Sequence, residues 1–423
     1  MTVNEIKTQI SQGELNKSFS LLYKDTAEAQ KRYLSACDSF CATFGEMEDI
    51  RLFSAPGRTE IGGNHTDHQH GRVLAGAADM DVIAVASKNR DNIIRIESEG
   101  YGTDVIDLND LDYKKEQEGT SLSLVRGICA FFKEKGYSVG GFNAYTTSNV
   151  LKGSGLSSSA AFEVLVCTVL NCLYNDSKLS AMEIALISQK SEREYFGKPC
   201  GLLDQCACSF GGFTAMDFAD PTAPKAEKVD FDLSASGYTL CVVNTGGNHA
   251  DLTQDYADIT LDCKAVANYF GKDFLRDVSF SEFKKALPSL KGKVCDRAIL
   301  RAIHFFNEDA RAEKQKALLK EKEFEGFLKL VKASGDSSYR FLQNVYSATN
   351  SAEQGITLAI ALTEEILGEC GVCRVHGGGF AGTIQCYVKN ECFENYKAEI
   401  EAVFGKDSCI PLKIRSVGGY EVK

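Results

Sequence analysis

The segment Leu151-Lys-Gly-Ser-Gly-Leu-Ser-Ser-Ser-Ala-Ala161 joins a polar, strand-like stretch to an apolar helix through a turn of glycine and serine. Gly153 and Gly155 allow the main chain to approach a ligand closely, and the positive end of the following helix favours an anion. The three serines at 157–159 add hydroxyls that hydrogen-bond phosphate oxygens or ligate a hard cation. The pattern predicts a phosphate-binding loop; an ordinary strand-to-helix turn with a serine cap is the alternative.

Composition limits the class of protein. The chain has 423 residues and a net charge of −11, which disfavours nucleic acid or an anionic membrane as a partner. Its longest apolar run, residues 160–173, is shorter than the ~18 residues that a membrane span needs. The amino terminus lacks a secretory pattern and the 16 cysteines are scattered, so we expect a cytosolic protein with mostly reduced core cysteines. Cys370 and Cys373 have the spacing of half a zinc or redox site, but no second pair exists, which favours core packing.

Periodicity gives the organisation of the chain. Short β-favouring segments predict strands at residues 51–55, 82–87, 93–98, 142–147, 238–244 and 382–389. Helical spacing predicts helices at residues 25–44, 121–134, 156–173 and 181–196. A composition change at residues 218–224 predicts a boundary, giving a helical extension (1–48), an amino-terminal lobe (49–222) and a carboxy-terminal lobe (223–423). Segregated strands and helices indicate an α+β fold.

A second polar segment, residues 55–70, places one arginine, two acids and three histidines between glycines. The side chains of residues 64–67 are suited to grip sugar hydroxyls, because specificity for hydroxyls depends on buried donors and acceptors. The competing interpretation is a zinc site, with His65, Asp67, His68 and His70 as ligands. The segment alone does not decide between them.

Two further segments carry candidate chemistry. In Cys200-Gly-Leu-Leu-Asp-Gln205, Asp204 is either a helix cap or a general base. Glu192, on the preceding helix, is either a solvated residue or a metal ligand. The glycines of His376-Gly-Gly-Gly-Phe-Ala-Gly382 permit close main-chain approach, although a structural hairpin turn explains them equally well.

Together these four segments resemble the signature set of galactokinases in the GHMP kinase superfamily, from residue 51 to the end. The segment from Gly57 to Asp67 resembles Gly-Arg-Val-Asn-Leu-Ile-Gly-Glu-His-Thr-Asp, and residues 200–205 resemble Cys-Gly-Ile-Met-Asp-Gln. Residues 153–161 resemble the superfamily's phosphate loop, and residues 377–382 its third glycine motif. The resemblance implies a two-lobed GHMP kinase fold, with a ribosomal-S5-like amino-terminal lobe, a ferredoxin-like carboxy-terminal lobe and the active site between them.

The resemblance also implies an ATP- and Mg²⁺-dependent sugar 1-kinase that converts galactose to galactose 1-phosphate, as a monomer without nucleic-acid or membrane partners. Asp204 would take the proton from the anomeric hydroxyl, and Arg58 would steady the attacking oxygen and the transferred phosphoryl group. Ser158, or a neighbouring serine, and Glu192 would hold Mg²⁺. The family's sugar-contact positions are occupied by Asn64, His65, Asp67, Gly201 and Tyr256. The ATP phosphates would rest on Gly153, Ser154, Gly155, Leu156, Ser157, Ser158 and Ser159.

Several residues depart from the galactokinase pattern, and three of them lie in the predicted sugar-binding segment. Asn64 stands in place of glutamate, His68 in place of tyrosine, and Glu60 in place of asparagine. Asn64 both donates and accepts hydrogen bonds where a carboxylate only accepts, so the sugar pocket is altered. N-acetylgalactosamine or another galactose-like sugar is therefore the alternative substrate. A non-catalytic sugar and ATP sensor, and a zinc hydrolase that uses the histidine segment, are the alternative classes.

Overall fold

The computed structural model describes residues 1–150, 155–220, 223–247 and 252–423, apart from the side chain of Thr253. The helices are α1 (Val3–Gln12), α2 (Asn16–Leu22), α3 (Thr26–Phe44), α4 (Ser121–Glu134), α5 (Ser158–Tyr174), α6 (Ala181–Glu194), α7 (Leu203–Phe210), α8 (Thr253–Tyr269), α9 (Phe280–Leu290), α10 (Asp296–Lys320), α11 (Phe324–Ser337), α12 (Gly355–Leu367) and α13 (Phe393–Phe404). The strands are β1 (Arg51–Gly62), β2 (Arg72–Lys88), β3 (Ile93–Ser98), β4 (Thr103–Asp107), β5 (Phe142–Ser148), β6 (Phe213–Asp217), β7 (Lys225–Val229), β8 (Tyr238–Asn244), β9 (Gly371–Val375), β10 (Thr383–Lys389), β11 (Cys409–Leu412) and β12 (Tyr420–Val422).

These elements form two sheets, which confirms the predicted α+β class. The larger sheet has the order β12-β1-β2-β5-β3-β4, and β6 and β7 continue from β2. The smaller sheet has the order β11-β8-β10-β9. Helix α5 is buried along most of its length and packs on β1, β2, α6 and α7. Its apolar composition predicted this central position, because a helix that is hydrophobic all round must be covered on all sides.

The lobe boundary predicted at residue 222 does not coincide with the point where the chain passes from the larger sheet to the smaller one. Strand β7 lies beyond that boundary and pairs with β6 in the larger sheet. The carboxy-terminal strand β12 also returns to this sheet, where it pairs with β1. The predicted domain limits followed composition along the chain, whereas the backbone hydrogen bonds of edge strands connect segments distant in sequence.

Strand β1 extends well past the strand predicted at residues 51–55. The prediction ended there because Pro56 and Gly57 weaken a regular strand. The pairing of β1 with β2 shifts register between Pro56 and Arg58, and again between Glu60 and Gly62. Such irregularities bend a strand and redirect its side chains. The first shift immediately precedes Arg58, so the interruption of the strand contributes to the placement of a candidate catalytic residue.

The amino-terminal helices pack against the larger sheet around a buried charge cluster. Asp81 is fully buried on β2 and forms ion pairs with Arg32 of α3 and with Arg415 near the carboxy terminus. The Tyr23 hydroxyl donates to the Asp81 carboxylate over 2.5 Å, and the Ser54 hydroxyl also donates to it. One carboxylate therefore joins the helical extension, the central sheet and the end of the chain.

We expect Asp81→Asn to lower the free energy of unfolding by about 3–5 kcal/mol, because it removes the carboxylate from two buried guanidinium groups. Urea denaturation followed by circular dichroism measures the loss. Asp38→Asn is the matched control, since Asp38 on α3 pairs with Lys7 but is 65% exposed. That exposed pair contributes at most about 1 kcal/mol. Equal losses in the two variants would contradict a special role for the Asp81 cluster.

Candidate active site

The site is centred on an ion pair between two predicted catalytic residues. The Arg58 Nε atom lies 2.8 Å from the Asp204 Oδ1 atom. Arg58 is largely buried on β1, while the Asp204 side chain, in the first turn of α7, remains 34% exposed. Burial alone would raise the pKa of Asp204, but the Arg58 charge and hydrogen bonds from Ser157 and Arg58 lower it below its usual value. Asp204 is therefore an ionised carboxylate at neutral pH and is partly accessible to solvent.

The end of the predicted phosphate loop contacts this pair directly. The Arg58 main-chain N–H donates to the Leu156 carbonyl over 2.9 Å, and its guanidinium donates to the Gly155 carbonyl. The Ser157 hydroxyl donates to Asp204 Oδ2. A Cβ atom on Gly57 would come within 2.6 Å of the Leu156 carbonyl oxygen, so only glycine permits this approach. Of the predicted phosphate-binding residues, Gly153 and Ser154 lie outside the described residues.

The amino end of α5 is where the sequence predicts that phosphate binds. Its N-cap, Ser157, has left-handed backbone geometry (φ 57°), and its side chain does not cap the helix. The first N–H groups of a helix lack intrahelical partners and attract anions. The Ser157 hydroxyl is directed at Asp204 and not at those N–H groups. Binding of phosphate at this helix end stays a prediction.

A cavity of about 350 Å³ adjoins the first turn of α5. Its volume is within the range of small-molecule sites. Apolar and hydroxyl side chains such as Val82, Tyr101, Thr146, Ser158 and Phe162 line it, together with the carboxylates of Glu99 and Asp104. Sequence reasoning missed this cavity because its walls come from several separate segments and no single motif marks it.

The predicted magnesium ligands are arranged around Glu192. Its Oε1 atom accepts a hydrogen bond of 3.2 Å from the Ser159 hydroxyl, whereas Ser158 lines the adjacent cavity. The serine that hydrogen-bonds to Glu192 is therefore Ser159, one of the neighbours that the sequence left open, and a role for Ser158 in binding Mg²⁺ stays a prediction. Hard oxygen donors of this kind suit Mg²⁺, which commonly takes one or two carboxylates and completes its shell with phosphates and water.

Buried polar groups behind Glu192 also fit a cation. The Gln205 amide donates to Glu192 Oε2 over 2.7 Å and to Glu163 Oε2 over 3.2 Å. Burial and then the charge of Glu192 raise the pKa of Glu163 well above its usual value. The Glu163 Oε1 and Gln205 Oε1 atoms are buried without a hydrogen-bond partner. Such unpaired buried oxygens are costly, which is consistent with a cation-binding environment.

Two predicted sugar-contact residues lie beside the Arg58–Asp204 pair. Asp67 is half-buried, and burial raises its pKa despite the opposing charge of His65. A Cβ atom on Gly201 would come within 2.4 Å of the Asp67 Oδ2 atom, so a larger residue at this position would displace the carboxylate. The structure therefore brings Asp67, Gly201, Arg58 and Asp204 to one region of the cleft.

The other predicted sugar residues contact the glycine turn after β9. The His65 ring donates to the Gly378 carbonyl over 2.9 Å, and the Tyr256 hydroxyl donates to the Gly379 carbonyl over 3.0 Å. The main chain of the glycine segment at residues 377–379 thus contacts the side chains of the segment at residues 64–67. These contacts leave the proposed sugar roles of His65 and Tyr256 as predictions.

Asn64 is fully buried, and its amide uses all of its hydrogen-bonding positions within the protein. It donates to Glu60 Oε1 (2.9 Å) and the Gly377 carbonyl (2.7 Å). It accepts from Ser338 (3.2 Å), in the π-helical turn Ser338–Leu342, and from Asn344 (3.0 Å). A sugar contact from Asn64 would require one of these bonds to break, and that role stays a prediction.

Glu60 supplies a buried carboxylate close to Asn64, which stands where the galactokinase signature has glutamate. Its Oε1 atom lies 2.6 Å from Arg374 Nη2, and the Arg374 side chain is completely buried on β9. Burial raises the pKa of Glu60, and the charges of Arg374 and Arg58 oppose the rise. The two departures from the galactokinase signature are therefore one structural unit, in which an amide and a carboxylate have exchanged places and bind each other.

The histidines of residues 65–70 do not converge on a metal. His70 stacks on Phe274 with ring centroids 3.6 Å apart, and His65 is hydrogen-bonded to Gly378. Across the described ranges, no group of three or more His, Cys, Asp or Glu side chains is placed to hold a metal ion. Cys370 forms a disulfide with Cys392, which corrects the expectation of core packing for that residue; Cys373 is buried as expected.

Comparisons with known proteins agree with this geometry. The chain matches the family model of the GHMP kinases N terminal domain over residues 123–212, and the galactokinase galactose-binding signature over residues 38–88. A mevalonate kinase structure has a TM-score of 0.59 at 14% identity, covering 86% of this chain and 98% of that one. The fold, the phosphate-loop end and these matches define a GHMP kinase.

Similarity over most of the chain identifies the family more closely. The galactokinase of Streptomyces coelicolor is 30% identical, covering 78% of this chain and 83% of that protein. The galactokinase of Glaesserella parasuis is 30% identical over 87% of this chain and 92% of that one. The crystal structure of Lactococcus lactis galactokinase complexed with galactose has a TM-score of 0.78 at 23% identity, covering 92% and 99% of the two chains. The chain belongs to the galactokinase family.

Proposed function

We propose that this protein is an ATP- and Mg²⁺-dependent kinase that phosphorylates the anomeric hydroxyl of galactose. The observation that carries the proposal is the Arg58–Asp204 pair, which contacts the end of the phosphate loop through Gly155, Leu156 and Ser157. A hydroxyl placed beside Asp204 would lie next to phosphates resting at the amino end of α5. This proximity is the main requirement of phosphoryl transfer, in which catalysis depends on alignment and electrostatic stabilisation.

Each residue of the pair has a defined task in this proposal. Asp204 accepts the proton of the sugar hydroxyl, and its lowered pKa makes it a weak base. A weak base suffices because the transition state of phosphoryl transfer is loose, with limited bond formation to the incoming oxygen. Arg58 stabilises the negative charge on the transferred group, and the N–H groups at the amino end of α5 hold the remaining phosphate oxygens.

The proposed magnesium site consists of Ser159 and Glu192. Bound Mg²⁺ would neutralise phosphate charge and orient the terminal phosphate. Gln205 fixes the Glu192 carboxylate through its amide, so the metal-binding oxygen faces Ser159. We place the nucleoside of ATP in the 350 Å³ cavity that adjoins Ser158. Tyr101, which lines this cavity, is 59% exposed, and an aromatic side chain is suited to stacking on a base.

An assay that couples ADP release to NADH oxidation tests the proposal across a sugar panel. We expect turnover with galactose and none with Asp204→Asn protein. Turnover confined to N-acetylgalactosamine would favour the alternative substrate, which the altered Glu60–Asn64 pair motivates. Calorimetric binding of galactose and ATP without ADP release would instead favour a sensor, and absence of both binding and turnover would reject the proposal.

We extend the proposal to a cytosolic monomer without nucleic-acid partners. The net charge of −11 supports the exclusion of polyanionic partners. Among the described residues, no helix has the length and apolarity that crossing a membrane demands. Sedimentation velocity of the purified protein should give a single species near 46.2 kDa. A stable dimer at micromolar concentration would contradict the monomer.

A further inference from the structure

Lys198 occupies the entrance of the proposed cation site. It lies between α6 and α7, and its Nζ atom is 2.8 Å from Glu192 Oε1. The same oxygen accepts a hydrogen bond from the Ser159 hydroxyl. The Lys198 side chain is 55% exposed, while that of Glu192 is 3% exposed. The ammonium therefore covers a buried carboxylate from the solvent side, close to the first turn of α5.

Lys198 differs from Arg58 in how firmly it is held. The Arg58 guanidinium is largely buried and bonded to Asp204 and to the Gly155 carbonyl. Lys198 is attached through a flexible stem, and an ammonium has three donors. A lysine ammonium is positively charged at neutral pH. It is thus a mobile positive charge beside the phosphate-binding helix end.

We propose that Lys198 is a phosphate-binding residue, which neutralises Glu192 in the metal-free protein and turns to the nucleotide phosphates when they bind. The inference rests on the proposed function, because it assumes that α5 holds ATP phosphates. A divalent cation at Glu192 repels the ammonium, and phosphate oxygens nearby offer it a new acceptor. The phosphate segment lacks the Gly-Lys-Ser/Thr ending of a Walker loop, and Lys198 adds a positive charge from another part of the chain.

Calorimetric titration with ATP in EDTA tests the phosphate contact without metal or turnover. We expect Lys198→Met to weaken this binding about tenfold, the loss typical of one hydrogen bond to a charged group. Lys198→Arg should retain most of the affinity. Lys190→Met is the matched control, because Lys190 on α6 pairs with Glu134 on the outer surface and should leave binding unchanged.

A double-variant cycle separates direct contact from simple neutralisation of Glu192. In a Glu192→Gln background, Lys198→Met should still weaken ATP binding in EDTA if the ammonium contacts phosphate. An absent effect in that background would overturn the inference. So would equal losses in Lys198→Met and Lys190→Met, or wild-type protein that binds Mg²⁺–ATP but no ATP in EDTA. Wild-type protein that fails to bind Mg²⁺–ATP would instead overturn the proposed function itself.

Binding of Mn²⁺ alone, followed by electron paramagnetic resonance, tests the other half of the inference. If Lys198 occupies the carboxylate in the metal-free protein, Lys198→Met should bind Mn²⁺ several-fold more tightly than wild type. Unchanged or weaker Mn²⁺ binding would show that the lysine does not compete with the cation. Lys190→Met should match wild type in this measurement as well.

Discussion

Turnover falls by about 10³-fold or more when Arg58 is replaced by alanine, if this arginine stabilises the transferred phosphoryl group. The same change removes the guanidinium that pairs with Asp204 and contacts the Gly155 carbonyl. Both effects act on the reacting atoms, so we expect the loss chiefly in kcat. Steady-state ADP release with saturating sugar and ATP measures this loss of kcat. Arg58→Lys should retain only part of the wild-type kcat, because lysine lacks the planar guanidinium.

Arg51→Ala is the control for this prediction. Arg51 lies on the same strand, but its guanidinium pairs with Glu421 at a distance of 2.6 Å, away from the cleft residues. We expect kcat close to wild type for this variant. Thermal melting of each protein distinguishes lost chemistry from lost folding. Wild-type kcat in a folded Arg58→Ala protein would remove the arginine from the proposed reaction.

Substitutions of Glu60 and Asn64 should be strongly coupled in their effects on the free energy of unfolding. Glu60→Asn leaves the fully buried Arg374 without its carboxylate, which costs about 3–5 kcal/mol of unfolding free energy. Asn64→Glu places a second carboxylate against Glu60 in the same buried space, where like charges are unfavourable. The double variant restores one amide and one carboxylate, the arrangement of the galactokinase signature.

We therefore expect the double variant to be more stable than the sum of the single losses predicts, by up to about 3 kcal/mol. Urea unfolding of the four proteins gives the coupling energy. Thr59→Ser is a useful control on β1, since it keeps the neighbouring hydroxyl and removes only one buried methyl group, which should cost about 1 kcal/mol. Additive losses in the cycle would show that the two residues do not act as a unit. The same four proteins assayed on the sugar panel report whether the exchange alters substrate preference.

The sequence predicted the regular elements better than the irregular ones that build the site. Helix α5 and strand β8 follow from apolar periodicity, which depends on local spacing alone. Strand β1 was predicted to end at residue 55, because Pro56 and Gly57 disfavour a continuous strand. The structure continues the strand through shifts in register, which are set by pairing with β2 and not by local preference.

The candidate site shows the same division. The resemblance pointed to Arg58 and Asp204, and the structure places them 2.8 Å apart. It could not choose among three adjacent serines, since the direction of each hydroxyl depends on the turn at the start of α5. Ser157 bonds to Asp204, Ser158 lines the cavity and Ser159 bonds to Glu192. The sequence also could not show that the buried amide of Asn64 has all its hydrogen-bonding positions filled, because two of its partners, Ser338 and Asn344, are distant in sequence.

Strand β12 has a consequence for how the protein is made. Leu52 of the larger sheet pairs with Val422, and the Arg51–Glu421 contact joins residues 370 positions apart in the sequence. During synthesis the ribosome releases β1 early, but its edge stays uncovered until residues 420–422 have emerged. Such distant pairing slows folding and leaves a strand edge exposed to aggregation. A nascent chain stalled before residue 420 should therefore require chaperone protection.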